Sequence, residues 1–200
     1  QLTETLRKWD AVYKKEYSSS DPGVTISFEA EGRKKGKALK AESASKLLYL
    51  LHMVPNGVQR NSMEIPDLVQ TSLNLGTLKL MDEEAYLVFS VRSSVETEKE
   101  ALGSRLRHCV EFLGGTYEET GSYPGWEYKK DSVLRDTMVR IYEKLYGEKP
   151  QVEAIHAGLE CGIFSGKLKG LDCVSIGPNM YDIHTPKERL SISSVKRVYE

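Results

Sequence analysis

The stretch LDCVSIGPNMYDIHTPKER, residues 171–189, organises the reading of this chain. Val174, Ser175 and Ile176 form a short apolar run bounded by Gly177 and Pro178, the pattern of a strand. An irregular loop leads from it to His184. Thr185 and Glu188 then have the spacing of a capping box, with Pro186 where the first helical residue falls. That spacing predicts a fixed backbone just after His184. An imidazole held at the mouth of a strand can ligate a metal or hydrogen-bond within its own loop, and the residue alone does not separate the two.

Upstream, Val152 to Ile155 reads as another strand, and HAGLECG (156–162) leaves its end. In open α/β sheets, sites gather in crevices at such strand ends. Gly158 and Gly162 either let backbone approach a ligand closely or serve turns. Cys161 beside Glu160, with His156 and His184 near in sequence, raises a cysteine nucleophile, but no local signature supports it. A helix with apolar positions Val133, Leu134, Met138, Ile141, Tyr142 and Leu145 precedes the first of these strands, and Ser194–Tyr199 begins another. The alternation suggests α/β connectivity, with too few strands for an independent sheet.

Before the turn-rich boundary at Gly121–Trp126 the texture differs. Leu2, Leu6, Trp9, Val12, Tyr13 and Tyr17 recur at helical spacing, and Val24, Ile26 and Phe28 alternate as in a half-buried strand. Ala44, Leu47, Leu48, Leu51 and Val54 mark a second helix stopped by Pro55-Asn56-Gly57. Residues 68–92 read as an antiparallel hairpin turning at Asp82-Glu83, with a β-bulge at Gly76-Thr77 where the apolar parity switches. Ala85, Leu87, Phe89 and Val91 share one face, so Arg92 ends the strand on the other. A helix starts near Ser93-Ser94, carries Leu102, Leu106, Cys109, Val110 and Leu113, and stops at Gly114-Gly115. The sum is an α+β layer, an antiparallel sheet with helices on one face.

Composition bounds the function classes. The chain has 200 residues, 40% apolar and 28% charged, with a net charge of −1. That balance gives no electrostatic reason to expect nucleic acid. The basic run Arg33, Lys34, Lys35, Lys37 reads as a solvated turn. Three widely spaced cysteines without a CxxC pair suit a reducing compartment, and no run is long enough to span a membrane, so a cytoplasmic location is expected. Both ends are abrupt, the pattern of a fragment.

HAGLECG at 156–162, SIGP at 175–178 with IHTPKER at 183–189, and YPGW at 123–126 resemble the bacterial aminoacyl-histidine dipeptidases. These are carnosinase-like members of the di-zinc peptidase clan. PNGV at 55–58, QTSLNLG at 70–76 and VRSS at 91–94 fit the same family in the same order. The resemblance implies that residues 1–121 are most of an α+β lid domain. Residues 122–200 would then be the C-terminal part of an α/β zinc-peptidase catalytic domain. It makes His184 a zinc ligand (cobalt or manganese being alternatives), Arg92 the lid residue that grips a dipeptide's carboxylate, and Gly158 with Cys161 a substrate-binding segment. The remaining ligands and the general base would lie in an N-terminal half of the same polypeptide, since nothing in residues 1–200 corresponds to the family's HxD or Glu-Glu motif. A homodimer is implied by the lid. The alternative is a non-catalytic α+β module that binds a partner.

Overall fold

A computed structural model describes residues 1–30, 32 and 35–199. The chain divides into two compact units, residues 1–39 and 40–200.

In the first unit the expected helix forms as α1 (Leu2–Glu16). Val24 and Ile26 are half-buried and Thr25 and Ser27 exposed, as the alternation requires, but Phe28 is 48% exposed and residues 24–28 pair with no strand among the described residues. Their anchor is a side chain. Asp10 on α1 accepts hydrogen bonds from the Ile26 N–H (2.8 Å) and the Thr25 hydroxyl (3.3 Å), while Lys14 pairs with it at 2.8 Å. A carboxylate satisfies the Ile26 N–H that a neighbouring strand would otherwise take. Of the basic run, Arg33 and Lys34 lie outside the described residues.

The second unit begins with α2 (Ala41–Met53), which ends before Pro55 as expected. The strand β1 (Gly57–Asn61) was not legible, because all five residues are exposed and show no apolar alternation. It pairs antiparallel with β2 (Val69–Leu80), which pairs with β3 (Ala85–Ser93), giving the order β1-β2-β3. The expected hairpin is present. Its ladder skips a residue between Leu75 and Thr77, so Gly76 is the bulge. Helix α3 (Glu96–Phe112) packs on β3 and touches α2. Leu50, Val54, Leu73, Leu102 and Leu106 form the core, with Cys109 packed against it as its helical position implies. Leu73 on the central strand is only 1% exposed.

The second half of the unit carries α4 (Val133–Tyr146), α5 (Glu160–Lys167) and α6 (Ile192–Tyr199). Ser132 caps α4: its hydroxyl accepts from the Arg135 N–H at 3.0 Å and donates to Asp172 at 2.7 Å. The other Asp172 oxygen accepts from the Leu134 N–H at 2.9 Å, so two of the orphan donors of the first turn, those of Leu134 and Arg135, are satisfied. At the other end Gly147 adopts φ +74°, the left-handed stop.

Two expectations are corrected here. Residues 152–155 and 174–176 are extended but pair with no strand among the described residues, because a strand needs a ladder partner and none lies beside them. No helix starts at Pro186. Residues 183–188 form consecutive turns, and Arg189–Leu190 (β5) returns to pair with Met180–Tyr181 (β4). His184 therefore sits at the tip of a short hairpin.

Candidate substrate-binding site

Hairpin register brings the first functional residues together. Ser72 on β2 lies directly opposite Arg92 on β3. Both alternate with core residues (Leu73 and Val91), so both project from the face away from the core. On the core-facing side the neighbouring pair is tied instead by a Thr71–Ser93 hydroxyl contact of 2.9 Å. His156, from the loop before α5, places Nε2 2.7 Å from the Ser72 hydroxyl, a contact spanning 84 residues of sequence.

Burial, and then the nearby Arg92 charge, lower the His156 pKa, so the imidazole is neutral at pH 7. No carboxylate pairs with the exposed Arg92 among the described residues. The result is a guanidinium with its donors unclaimed, flanked by a hydroxyl and a neutral imidazole on one surface. Such a set accepts an anion, and the flat donor fork of arginine favours a carboxylate.

The segment 123–126 locks this surface to the loop 156–162. The Gly125 N–H donates to Glu96 (3.2 Å), Lys99 donates to the Tyr123 carbonyl (2.6 Å), and Glu96 and Lys99 pair at 2.8 Å. The Lys99 hydrogen bond is the main reason the Glu96 carboxyl pKa is lowered. A side chain at Gly125 would stand 2.5 Å from the Ser94 carbonyl oxygen, two residues past Arg92. On the other side, Gly162 and Gly166 of α5 face Pro124. Gly158 meets the Tyr123 ring, where a Cβ would fall 2.3 Å from the hydroxyl oxygen, so Tyr123 fills the open space beside that glycine.

Cys161 points its thiol at the Val174 carbonyl (3.9 Å). Burial, and then the Cys173 thiol, push its pKa up. The His156 imidazole is engaged by Ser72, so the nucleophile reading of Cys161 has neither its base nor a lowered pKa.

His184 stands apart. Its φ of +66° is unusual for a residue with a side chain, and local bonds hold it there. The His184 N–H donates to Glu188 at 2.9 Å, Thr185 donates to the Asp182 carbonyl at 2.7 Å, and the Lys187 N–H donates back to the Thr185 hydroxyl at 3.1 Å. Arg189 pairs with Asp182 across the hairpin. Neither bond of the expected capping box forms: the Thr185 hydroxyl takes the Lys187 N–H in place of that of Glu188, and Glu188 takes the His184 N–H in place of that of Thr185. No hydrogen bond or ion pair among the described residues joins His184 to Arg92, Gly158 or Cys161. No three potential metal ligands converge among the described residues either.

No family model matches the chain. The cytosol non-specific dipeptidase of Escherichia coli (strain K12) is 31% identical over 194 residues, covering 97% of this chain and 40% of that protein. The crystal structure of aminoacylhistidine dipeptidase from Vibrio alginolyticus superposes with a TM-score of 0.86 at 30% identity, over 98% of this chain and 40% of that one. An aminopeptidase PepT from Bacillus cereus ATCC 10987 shares the fold (TM-score 0.59, 17% identity, 77% of this chain and 42% of that one). The chain spans about 40% of the length of the dipeptidases it matches. Along nearly its whole length this chain is therefore similar, in sequence and in fold, to proteins named cytosol non-specific dipeptidase and aminoacylhistidine dipeptidase.

Proposed function

We propose that the chain is part of a metal-dependent dipeptidase and that its own share of the work is to grip the substrate's free carboxylate. Arg92 supplies charge-assisted hydrogen bonds to that carboxylate. With the His156 proton on Nε2 and donated to the Ser72 oxygen, the Ser72 hydroxyl is fixed and its own proton is left as a further donor. The observation that carries the reading is the opposition of Ser72 and Arg92, with His156 on the hydroxyl and no carboxylate claiming the guanidinium among the described residues. Dipeptidase relatives, named for acting on substrates that end in such a carboxylate close to the scissile bond, support it.

In this reading residues 1–121 are lid and 122–200 belong to the catalytic domain, with Gly158 and Cys161 framing the substrate loop. His184 is one donor to a zinc site (cobalt or manganese alternatively) that the rest of the polypeptide completes. One imidazole is far below the usual ligand count, and the described residues do not fit a metal on their own. The chain by itself hydrolyses nothing. A complementary half is supported by apolar surface left open on α4 and the extended segments, with Val133 79%, Leu145 65% and Ile176 66% exposed. A cytoplasmic, dimeric enzyme completes the proposal; the relative named for the cytosol supports the location.

The test is kinetic. In the complete protein, Arg92→Ala removes bonds to a charged group worth about 1.5–3 kcal/mol each, so KM rises about 10- to 100-fold with kcat nearly unchanged. A dipeptide C-terminal amide loses a similar factor on the parent enzyme and nothing more on the variant. An unchanged KM in Arg92→Ala overturns the assignment.

A further inference from the structure

The loop that carries Cys161 holds chemistry the carboxylate site does not use. Cys161 lies in the first turn of α5 and donates to the Val174 carbonyl. Cys173, the residue before Val174, accepts a hydrogen bond from the Ser165 hydroxyl at 3.7 Å. Ser165 follows Cys161 by four residues, so the two stand on one face of α5, a turn apart. Cys173 thus packs on the helix face that bears Cys161, with its neighbour Val174 taking the Cys161 thiol and Ser165 of the same face reaching the Cys173 sulfur. Both are partly exposed. The third cysteine, Cys109, is packed against the core on α3.

We propose that Cys161 and Cys173 are a redox-active pair that closes to a disulfide, pinning the start of α5 to the extended segment 171–176. Cys161 and Ser165 share one face of α5, and that face already meets residues 173 and 174, so closure to about 2.05 Å between sulfurs is a local approach within one packed contact. With glutathione disulfide as oxidant, one thiolate attacks a sulfur of that molecule, forming a mixed disulfide and releasing one glutathione. The second thiolate displaces the other glutathione. Two protein thiols lose two protons and two electrons, and one glutathione disulfide becomes two thiols. The raised Cys161 pKa makes its thiolate scarce near neutrality, so closure quickens as the solution is made mildly alkaline. The crosslink does not depend on dipeptidase activity.

The reduced chain is incubated with glutathione disulfide, alkylated to trap free thiols, and mapped by peptide mass spectrometry. Free thiols fall from three to one and the protein loses about 2 Da. The bridged peptides contain Cys161 and Cys173, and Cys109 is found alkylated. Cys109→Ser leaves the bridge intact, and Cys173→Ser leaves a lasting glutathione adduct on Cys161. Three free thiols after oxidation, separate adducts on Cys161 and Cys173 in the parent chain, or a bridge to Cys109 each overturn the proposal. Because the readout is thiols and not hydrolysis, its failure is distinguishable from failure of the carboxylate assignment.

Discussion

Gly125→Ala tests the link between the YPGW segment and the end of β3. A Cβ at this position would lie 2.5 Å from the Ser94 carbonyl oxygen, 2.8 Å from its carbonyl carbon and 3.1 Å from the Ser93 carbonyl oxygen. All three are backbone atoms, and no rotamer change relieves the overlap. Carbon and oxygen in ordinary contact stay more than about 3.3 Å apart, so the backbone after Arg92 must shift by most of an ångström. Overpacking of that kind costs about 1–3 kcal/mol. With a urea m-value of about 1–3 kcal/mol/M, the unfolding midpoint falls by roughly 1 M. Gly177→Ala is the control, because nothing lies within 4 Å of its Cβ position. Its midpoint stays level or rises slightly as the unfolded chain loses freedom. The displaced Ser93-Ser94 carries Arg92 with it, so anion affinity falls in Gly125→Ala alone. Equal urea midpoints for the two variants would refute the reasoning.

Three further outcomes follow from the same geometry. Leu73→Ala, at the centre of the sheet, should destabilise by about 2–5 kcal/mol in denaturant titration, with no ligand needed to see it. Ser132→Ala removes the cap of α4 and should cost about 1 kcal/mol, read as a fall of about 2–4 °C in melting temperature. Acidification should weaken the fold in two windows, followed by melting temperature against pH. His156 has a folded pKa below its usual 6.5, so the unfolded state binds more protons and stability is lost as pH falls below that value. Asp172 (through the Leu134 N–H and Ser132) and Glu96 (through Lys99) have lowered carboxyl pKa values, and their contribution, complete above the usual carboxylate range, is lost as pH falls through the folded values. His156→Gln should remove only the upper window.

Much of the site was readable one strand at a time. The turn at Asp82-Glu83 and the Gly76 bulge together fix the register, and register alone sets Ser72 opposite Arg92. Parity also put Arg92 off the core face, as observed. What no periodicity reaches is His156 on Ser72, because that contact depends on how a loop 84 residues away folds back. The predicted strands at 24–28, 152–155 and 174–176 share one reason for standing unpaired among the described residues: alternation or an apolar run describes how a segment wants to be buried, whereas a strand also requires a neighbour. The capping box after His184 misled for a related reason. Thr185 and Glu188 each bond one residue away from the box partner, and pairing of Arg189–Leu190 with Met180–Tyr181 turns the chain back before a helix can propagate.

The central claim, that Arg92 with Ser72 and His156 receives a carboxylate, is tested most directly by following the His156 imidazole by NMR while the chain is titrated with a dipeptide and, separately, with its C-terminal amide. A bound carboxylate offsets the Arg92 charge that helps hold the His156 pKa down, so the free acid should shift the His156 signals and raise its pKa. The amide should do neither, and Arg92→Ala should abolish the response to the acid. An equal response to acid and amide, or one that survives Arg92→Ala, contradicts the account.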